Sequence, residues 1–281
     1  MDDFAPRSAA LEYWFWKFNS GDLAFLVDFI VRRRTGDAEV RVSLWIRGLG
    51  RVVHQRGDDW STDRKRVSIG ESQLQPEGST GVAGDISWDL RWTGGANLVE
   101  PQPRLVARVR PLDMEFLLRP GARFSGSVRV GSESFAVDDV PGLLTHYWGR
   151  RLSENWLWIS ATSFEEDPLR RLEVLIARSR LWGRIPLPMP TAYAWTTDGR
   201  RPELTISPLT GIVRLRRMGT DSVVDVRRLD GRRHRIVCRV SAAKLNDLGD
   251  GIRQTLLGDL TLDGQRAVAE TVGIESRGWP L

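Results

Sequence analysis

The chain is short of the residues that most sharply mark a function. It has one cysteine, Cys238, three histidines and three tyrosines, and its lysines are Lys17, Lys65 and Lys244. A lone cysteine excludes an internal disulfide framework and fits a reducing compartment. With so few scattered histidines and one thiol, a zinc site is not expected. There is no Gly-x-Ser-x-Gly elbow and no phosphate-binding Gly-x-x-x-x-Gly-Lys loop. Gly48-Leu49-Gly50 is a fragment of a dinucleotide motif without its third glycine. The longest apolar stretch, Leu23 to Val31, is interrupted by Asp28 and falls far short of the roughly 20 residues that cross a bilayer. Met1-Asp2-Asp3 lacks the basic-then-apolar start of a secretory signal. These absences predict a cytoplasmic protein that uses no metal or cofactor.

What is present is tryptophan and arginine. Twelve tryptophans occur in 281 residues, and the formal net charge is +5. Residues 1–140 hold 19 basic and 20 acidic side chains, residues 141–281 hold 22 and 16. The positive second half admits an anionic ligand, peripheral contact with an acidic membrane, or nucleic acid. A solvated arginine surface is the plainer reading. Nucleic acid, which would use Arg214, Arg216, Arg217, Arg227, Arg228 and Arg232 to Arg235, is the least expected partner.

The hydropathy pattern alternates along most of the chain. Val40, Val42, Leu44 and Ile46 share one face of a strand, and Trp88, Leu90 and Trp92 share another. Leu105, Ala107 and Val109 repeat the pattern, as do Phe124, Val128 and Val130. Asp-Gly pairs at 198–199, 230–231 and 263–264 supply the chemistry of tight hairpins. Ile185 to Pro190, with three prolines, reads as a connector. Only residues 242–257 look loosely helical. The expectation is an all-β chain of two tandem antiparallel β-barrel or sandwich domains, residues 1–164 and 165–281, with a seam at the acidic, proline-ended Glu165-Glu166-Asp167-Pro168.

One stretch, Pro141 to Phe164, concentrates a histidine, a tyrosine and three tryptophans. His146 and Trp148 are two apart, as are Trp156 and Trp158, so each pair shares a strand face. Indole and imidazole gathered in this way point to an apolar pocket with one titratable group. The blandest alternative is a buried, hydrogen-bonded histidine among core tryptophans. His54 reads as a strand residue, His234 as exposed beside a turn, Cys238 as core, and Glu12 as the partner of an arginine.

Glu12-Tyr13-Trp14-Phe15 followed by Asn19 resembles the Glu-Trp-Trp-Tyr opening of the lipocalin-like superfamily of AttH and the carotenoid hydratases. His146-Tyr147-Trp148-Gly149 resembles the His-Asn-Trp-Gly centre of carotenoid hydratases and the Asn-Trp-Gly of tocopherol cyclases. Trp156-Leu157-Trp158 is similar to the Trp-x-Trp that follows there. The resemblance implies two lipocalin-like β-domains with a hydrophobic cavity near their shared centre. One departure is Thr145, which stands where the hydratase-type motif carries an acid before the histidine.

The chemistry of the residues agrees in kind. Hydrating an alkene, or closing a ring onto one, needs a proton delivered in a dry cavity and aromatic faces to stabilise the carbocation. His146 is the expected proton-handling group, with Glu154 and Glu173 as catalytic carboxylate candidates and Asp89 as a further partner. Trp14, Trp88, Trp92 and Tyr147 are expected to line the ligand site, with Trp148, Trp156, Trp158 and Tyr193. The expected partner is a hydrophobic small molecule of isoprenoid, polyene or polyketide-like type. A non-catalytic carrier of a lipid or pigment is the alternative.

Overall fold

The structure is a computed structural model and describes residues 5–20, 22–63, 65–95, 114–178, 180–181, 184–186, 191–197, 202–206, 211–218, 221–268 and 272–277. Apart from one 3-10 turn, Ala242–Lys244, the regular structure of these residues is strand. No helix among them is long and apolar enough to cross a membrane. The described residues divide into two compact units, the first holding residues 5–47, 51–95 and 114–152 and the second residues 48–50 and 153–277.

The first unit is one antiparallel sheet. Its strands are β1 (Leu11–Ser20), β2 (Leu23–Arg32), β3 (Asp37–Ile46), β4 (Leu49–Gly57), β5 (Trp60–Thr62), β6 (Val67–Ile69), β7 (Ser72–Gln75), β8 (Gly78–Ala83), β9 (Ile86–Gly94), β10 (Met114–Val130) and β11 (Glu133–Gly149). The order is β4-β3-β2-β1-β11-β10-β9-β8-β7-β6-β5. Every neighbour is sequential except β1 and β11, so that one non-local pairing joins the two halves of the sheet. A sheet this wide curls under its own twist. Here the Trp60 indole donates to the Gly36 carbonyl at 2.9 Å, drawing β5 against the β2–β3 turn and nearly closing a barrel.

The barrel interior is aromatic because alternation sends every second residue inward. Trp16 lies within 6.5 Å, centroid to centroid, of Phe18, Phe25, Trp88, Trp92 and Phe124. Strands β1, β2 and β3 are buried on both faces. Their second face carries Tyr13, Phe15, Asp28, Arg41 and Trp45, all buried.

The second unit is a two-sheet sandwich. Its strands begin with β12 (Trp156–Ala161), β13 (Arg171–Ala177), β14 (Arg180–Leu181), β15 (Ile185–Pro186), β16 (Thr191–Thr197), β17 (Pro202–Ile206) and β18 (Gly211–Met218). They continue with β19 (Asp221–Arg228), β20 (Arg233–Arg239), β21 (Asn246–Gly249), β22 (Ile252–Thr255), β23 (Asp259–Leu262), β24 (Gln265–Arg266) and β25 (Val272–Arg277). A seven-stranded sheet runs β17-β16-β13-β12-β25-β22-β21, a five-stranded sheet β18-β19-β20-β23-β24, and β14 pairs with β15. Leu157, Ile159, Val174 and Ile176 of the larger sheet share a core with Val224, Ile236, Cys238 and Leu260 of the smaller.

The helical look of residues 242–257 is corrected here. Past the 3-10 turn the segment is the β21–β22 hairpin, because Gly249, Asp250 and Gly251 take positive φ and turn the chain back. The Asp-Gly pairs at 230–231 and 263–264 sit at hairpin turns, between β19 and β20 and between β23 and β24. The pair at 198–199 and the strand expected at Leu105 to Val109 lie outside the described residues. Of the proline-rich connector, Ile185–Pro186 forms the short strand β15.

Candidate functional site

In the first unit the β1–β11 register sets the site. Trp14 pairs with His146 and Glu12 with Trp148, while β10 places Leu117 and Glu115 on the other side of the same two residues. Glu12, Trp14, His146 and Trp148 therefore share the face that also carries the core residues Trp16 and Leu144. His146 stacks on Trp14 with centroids 4.6 Å apart and planes 13° from parallel. Trp148 approaches from the other side at 4.9 Å, tilted by 48°. His146 Nε2 is 3.4 Å from Glu12 Oε2, and both side chains have no solvent exposure.

Glu12 is the carboxylate at the centre. Its oxygens accept hydrogen bonds from the backbone N–H of Arg7 at 2.8 Å and of Ala9 at 3.0 Å. The Arg33 guanidinium lies 3.3 Å away. Burial alone pushes the Glu12 carboxyl up. The bond to His146, the Arg7 N–H and the charges of His146 and Arg33 outweigh it, and the group sits below the ordinary glutamate value. An ionised carboxylate thus stands against a ring nitrogen, with indoles on both sides and out of contact with water. Trp148 is held in turn by its N–H to Glu115 Oε2 at 2.9 Å and by the Arg7 guanidinium 5.3 Å over its ring.

The other face of these strands carries a second polar cluster. The Tyr13 hydroxyl donates to Asp28 Oδ1 at 2.8 Å, and Arg41 Nε donates to Asp28 Oδ2. Burial pushes the Asp28 carboxyl up against the opposing pull of Arg41. Tyr147 lies beside it, stacked on Phe116 at 5.2 Å and Phe15 at 5.9 Å.

The structure disperses the remaining candidates. Trp88 packs in the barrel core with its N–H on Ser79 Oγ at 2.9 Å, and Trp92 donates to the Pro76 carbonyl at 2.8 Å. A cavity of about 30 Å³ bordered by Trp14, Trp16, Trp92 and Leu144 has room for about one or two waters. In the second unit, Trp158 donates to Glu173 Oε2 at 3.1 Å and Ser160 to Glu173 Oε1 at 2.6 Å, so Glu173 is a dry, doubly bonded carboxylate. Trp156 is half-buried on the same strand face. Glu154 is 67 % exposed and 3.3 Å from Arg180, a surface ion pair without the desolvation a buried acid needs. Asp89 is exposed on β9. Tyr193 pairs with Leu175 in the backbone of β16, and its side chain lies outside the described residues. Among the described residues no cluster of His, Cys, Asp and Glu could hold a metal ion.

Sequence reasoning missed two things. Glu12 does meet an arginine, Arg33, and it also meets His146, which only strand pairing across the sheet reveals. The Asp28–Arg41–Tyr13 cluster left one trace, the aspartate that breaks the apolar run from Leu23 to Val31.

No protein-family profile matches the chain. Its sequence is 30% identical over 162 residues to Uncharacterized protein Rv0493c of Mycobacterium tuberculosis strain H37Rv, covering 57% of this chain and 46% of that protein. The same figures hold for Uncharacterized protein MT0513 of strain CDC 1551. The match thus spans about half the length of these curated relatives. Among solved structures, a protein classed as AttH from Nitrosomonas europaea superposes over 100% of this chain and 96% of its own, with TM-score 0.70 and 15% identity. Kievitone hydratase from Nectria haematococca superposes over 98% and 91%, with TM-score 0.61 and 10% identity. The chain has the lipocalin-like fold of the AttH and hydratase-type proteins that its Glu12–Asn19 and His146–Gly149 motifs resemble.

Proposed function

We propose that the protein is a hydratase-type enzyme, adding water to an alkene or closing a ring onto one in a hydrophobic isoprenoid, polyene or polyketide-like substrate. The observation that carries the reading is the Glu12–His146 pair, buried and enclosed by Trp14 and Trp148. In this scheme the packing around the buried His146 opens to admit the substrate, and the imidazolium delivers its proton to an alkene carbon. The cation formed at the neighbouring carbon is stabilised by an indole face and captured by water or by a substrate hydroxyl. The proton that oxygen sheds returns to the imidazole, so no cofactor is consumed. Glu12 keeps the ring oriented and offsets its charge. General acid catalysis of this kind contributes about 10²- to 10⁴-fold. The hydratase among the fold's neighbours supports the reaction class; the substrate class rests on the aromatic surroundings.

The test is incubation with linear polyenes and prenylated phenols in deuterated water, read by mass spectrometry. Hydration adds the mass of one water in which one hydrogen is a carbon-bound deuterium, and cyclisation leaves the composition unchanged except for one hydrogen replaced by carbon-bound deuterium. The expected result is label uptake by wild type and none by His146→Ala, with both proteins folded by circular dichroism. Equal uptake by His146→Ala would overturn the assignment. Ligand-induced quenching of tryptophan fluorescence with no label uptake in either protein would identify a carrier instead.

A further inference from the structure

The solvent face of the five-stranded sheet is set by its register. Val224, Val226, Ile236 and Cys238 enter the sandwich core, so Asp225, Arg227, Arg233 and Arg235 alternate outward. One row across β18, β19 and β20 reads Ile212, Arg227, Arg233, and the next reads Arg214, Asp225, Arg235. Acids lie at both ends of this face: at the turn end Asp230 is 3.0 Å from Arg228 and Asp263 is 2.7 Å from His234. Asp225 pairs with Arg216 and lies 3.8 Å from Arg235, and Asp221 lies 4.0 Å from Arg239. Arg227, Arg232 and Arg233 make no ion pair among the described residues.

Arg227 and Arg233 are direct cross-strand neighbours, an arrangement in which like charges cost stability. Just beyond them the β19–β20 turn projects Leu229, 76 % exposed, between Arg228 and Arg232. Ile212, on the same row as the arginine pair, is 46 % exposed. The facing arginines and the leucine at the tip are thus exposed together at one end of the sheet.

We propose that this end of the sheet docks on an anionic lipid surface. Leu229 enters the interfacial layer while Arg227, Arg232 and Arg233 engage lipid phosphates, the pairing of an apolar tip with a cationic collar that interfacial binding requires. Nucleic acid fits these observations less well. Single strands are held by stacking on aromatic rings, and β18, β19 and β20 carry no phenylalanine, tyrosine or tryptophan. A duplex offers phosphates but nothing for an exposed leucine. The proposal does not rest on the hydratase reading, and either can fail alone.

The experiment is co-sedimentation of the full chain with vesicles of phosphatidylcholine, with and without about one third phosphatidylglycerol. Binding is expected to the anionic vesicles only, and to collapse between about 0.05 and about 0.5 M salt as charges are screened. Arg227→Ala with Arg233→Ala should weaken partitioning about 30-fold, from about 1 kcal/mol per cation near the surface. Leu229→Ser should weaken it independently, and Arg216→Ala with Arg239→Ala, whose charges Asp225 and Asp221 offset, should leave most of it. Equal binding to neutral vesicles, undiminished binding by the arginine double variant, or retention of a DNA oligonucleotide without retention of vesicles would overturn the proposal. All these side chains are surface groups, and circular dichroism checks that each variant is folded.

Discussion

Trp14 and His146 lie ring on ring across β1 and β11, 4.6 Å apart and 13° from parallel, while Nε2 of the same imidazole reaches Glu12. The indole fixes the plane of the ring and the carboxylate fixes its edge, so the histidine has one orientation. Trp14→Ala removes the indole against which that ring is held. A loss of about 3–5 kcal/mol in urea denaturation is expected from the cavity alone. Trp14→Phe keeps a stacking face and should retain most of that stability. Equal losses for the two variants would show that stacking is not what holds the ring.

Glu12 makes acid stability testable. Its folded pKa is below the ordinary 4.5, so the unfolded chain binds its proton more tightly. Its contribution is therefore fully present above about pH 4.5 and is lost as pH falls through the lower folded value. The melting temperature of wild type should decline more steeply below about pH 4.5 than that of Glu12→Gln. Parallel curves would show that Glu12 is not held in its charged form by the fold.

Asp28 and Arg41 should behave as a unit. Arg41→Met leaves a buried carboxylate, and Asp28→Leu leaves a buried guanidinium. Each is expected to cost about 3–5 kcal/mol in urea denaturation, and the double variant much less than the sum. Additive losses would mean that the two groups do not depend on each other.

Gly142 pairs with Phe18 on one side and Ala122 on the other. A methyl group there would press on the Lys17 carbonyl and the Phe124 ring. Gly142→Ala is expected to lower stability by about 1–3 kcal/mol, read as a drop in the urea midpoint at unchanged slope. An unchanged midpoint would refute the close packing of β1 on β11.

Cys238 is buried in the sandwich core, and burial pushes its thiol well above the ordinary value. It should resist a disulfide reagent in the native protein and react fully once unfolded in guanidinium. Rapid labelling of native protein would place the thiol outside the core.

Much of the fold was legible in particular residues. Leu23–Arg32 and Ile86–Gly94 fold as strands where alternation or an apolar run announced them, and the Asp-Gly pairs at 230–231 and 263–264 turn hairpins. Residues 242–257 misled because a short apolar spacing carries no information about which hydrogen bonds the backbone will find. Glu154 and Glu173 looked equivalent as carboxylates near the tryptophan block, yet one is exposed beside Arg180 and the other is bonded to Trp158 and Ser160. Burial of a polar residue depends on what is packed over it, which local pattern does not record.

By itself the sequence determined the all-β class, the faces on which Trp14, Trp16, His146 and Trp148 stand, and the crowding of indole around one imidazole. These follow from a side-chain period of two, a property of each strand alone. Only the tertiary structure decided that β11 returns to lie against β1 and that Glu12, rather than Glu154 or Glu173, meets His146. Alternation fixes which side of a sheet a residue takes. It does not say which strand lies alongside or in what register, and those are settled by the competition of whole strands for partners.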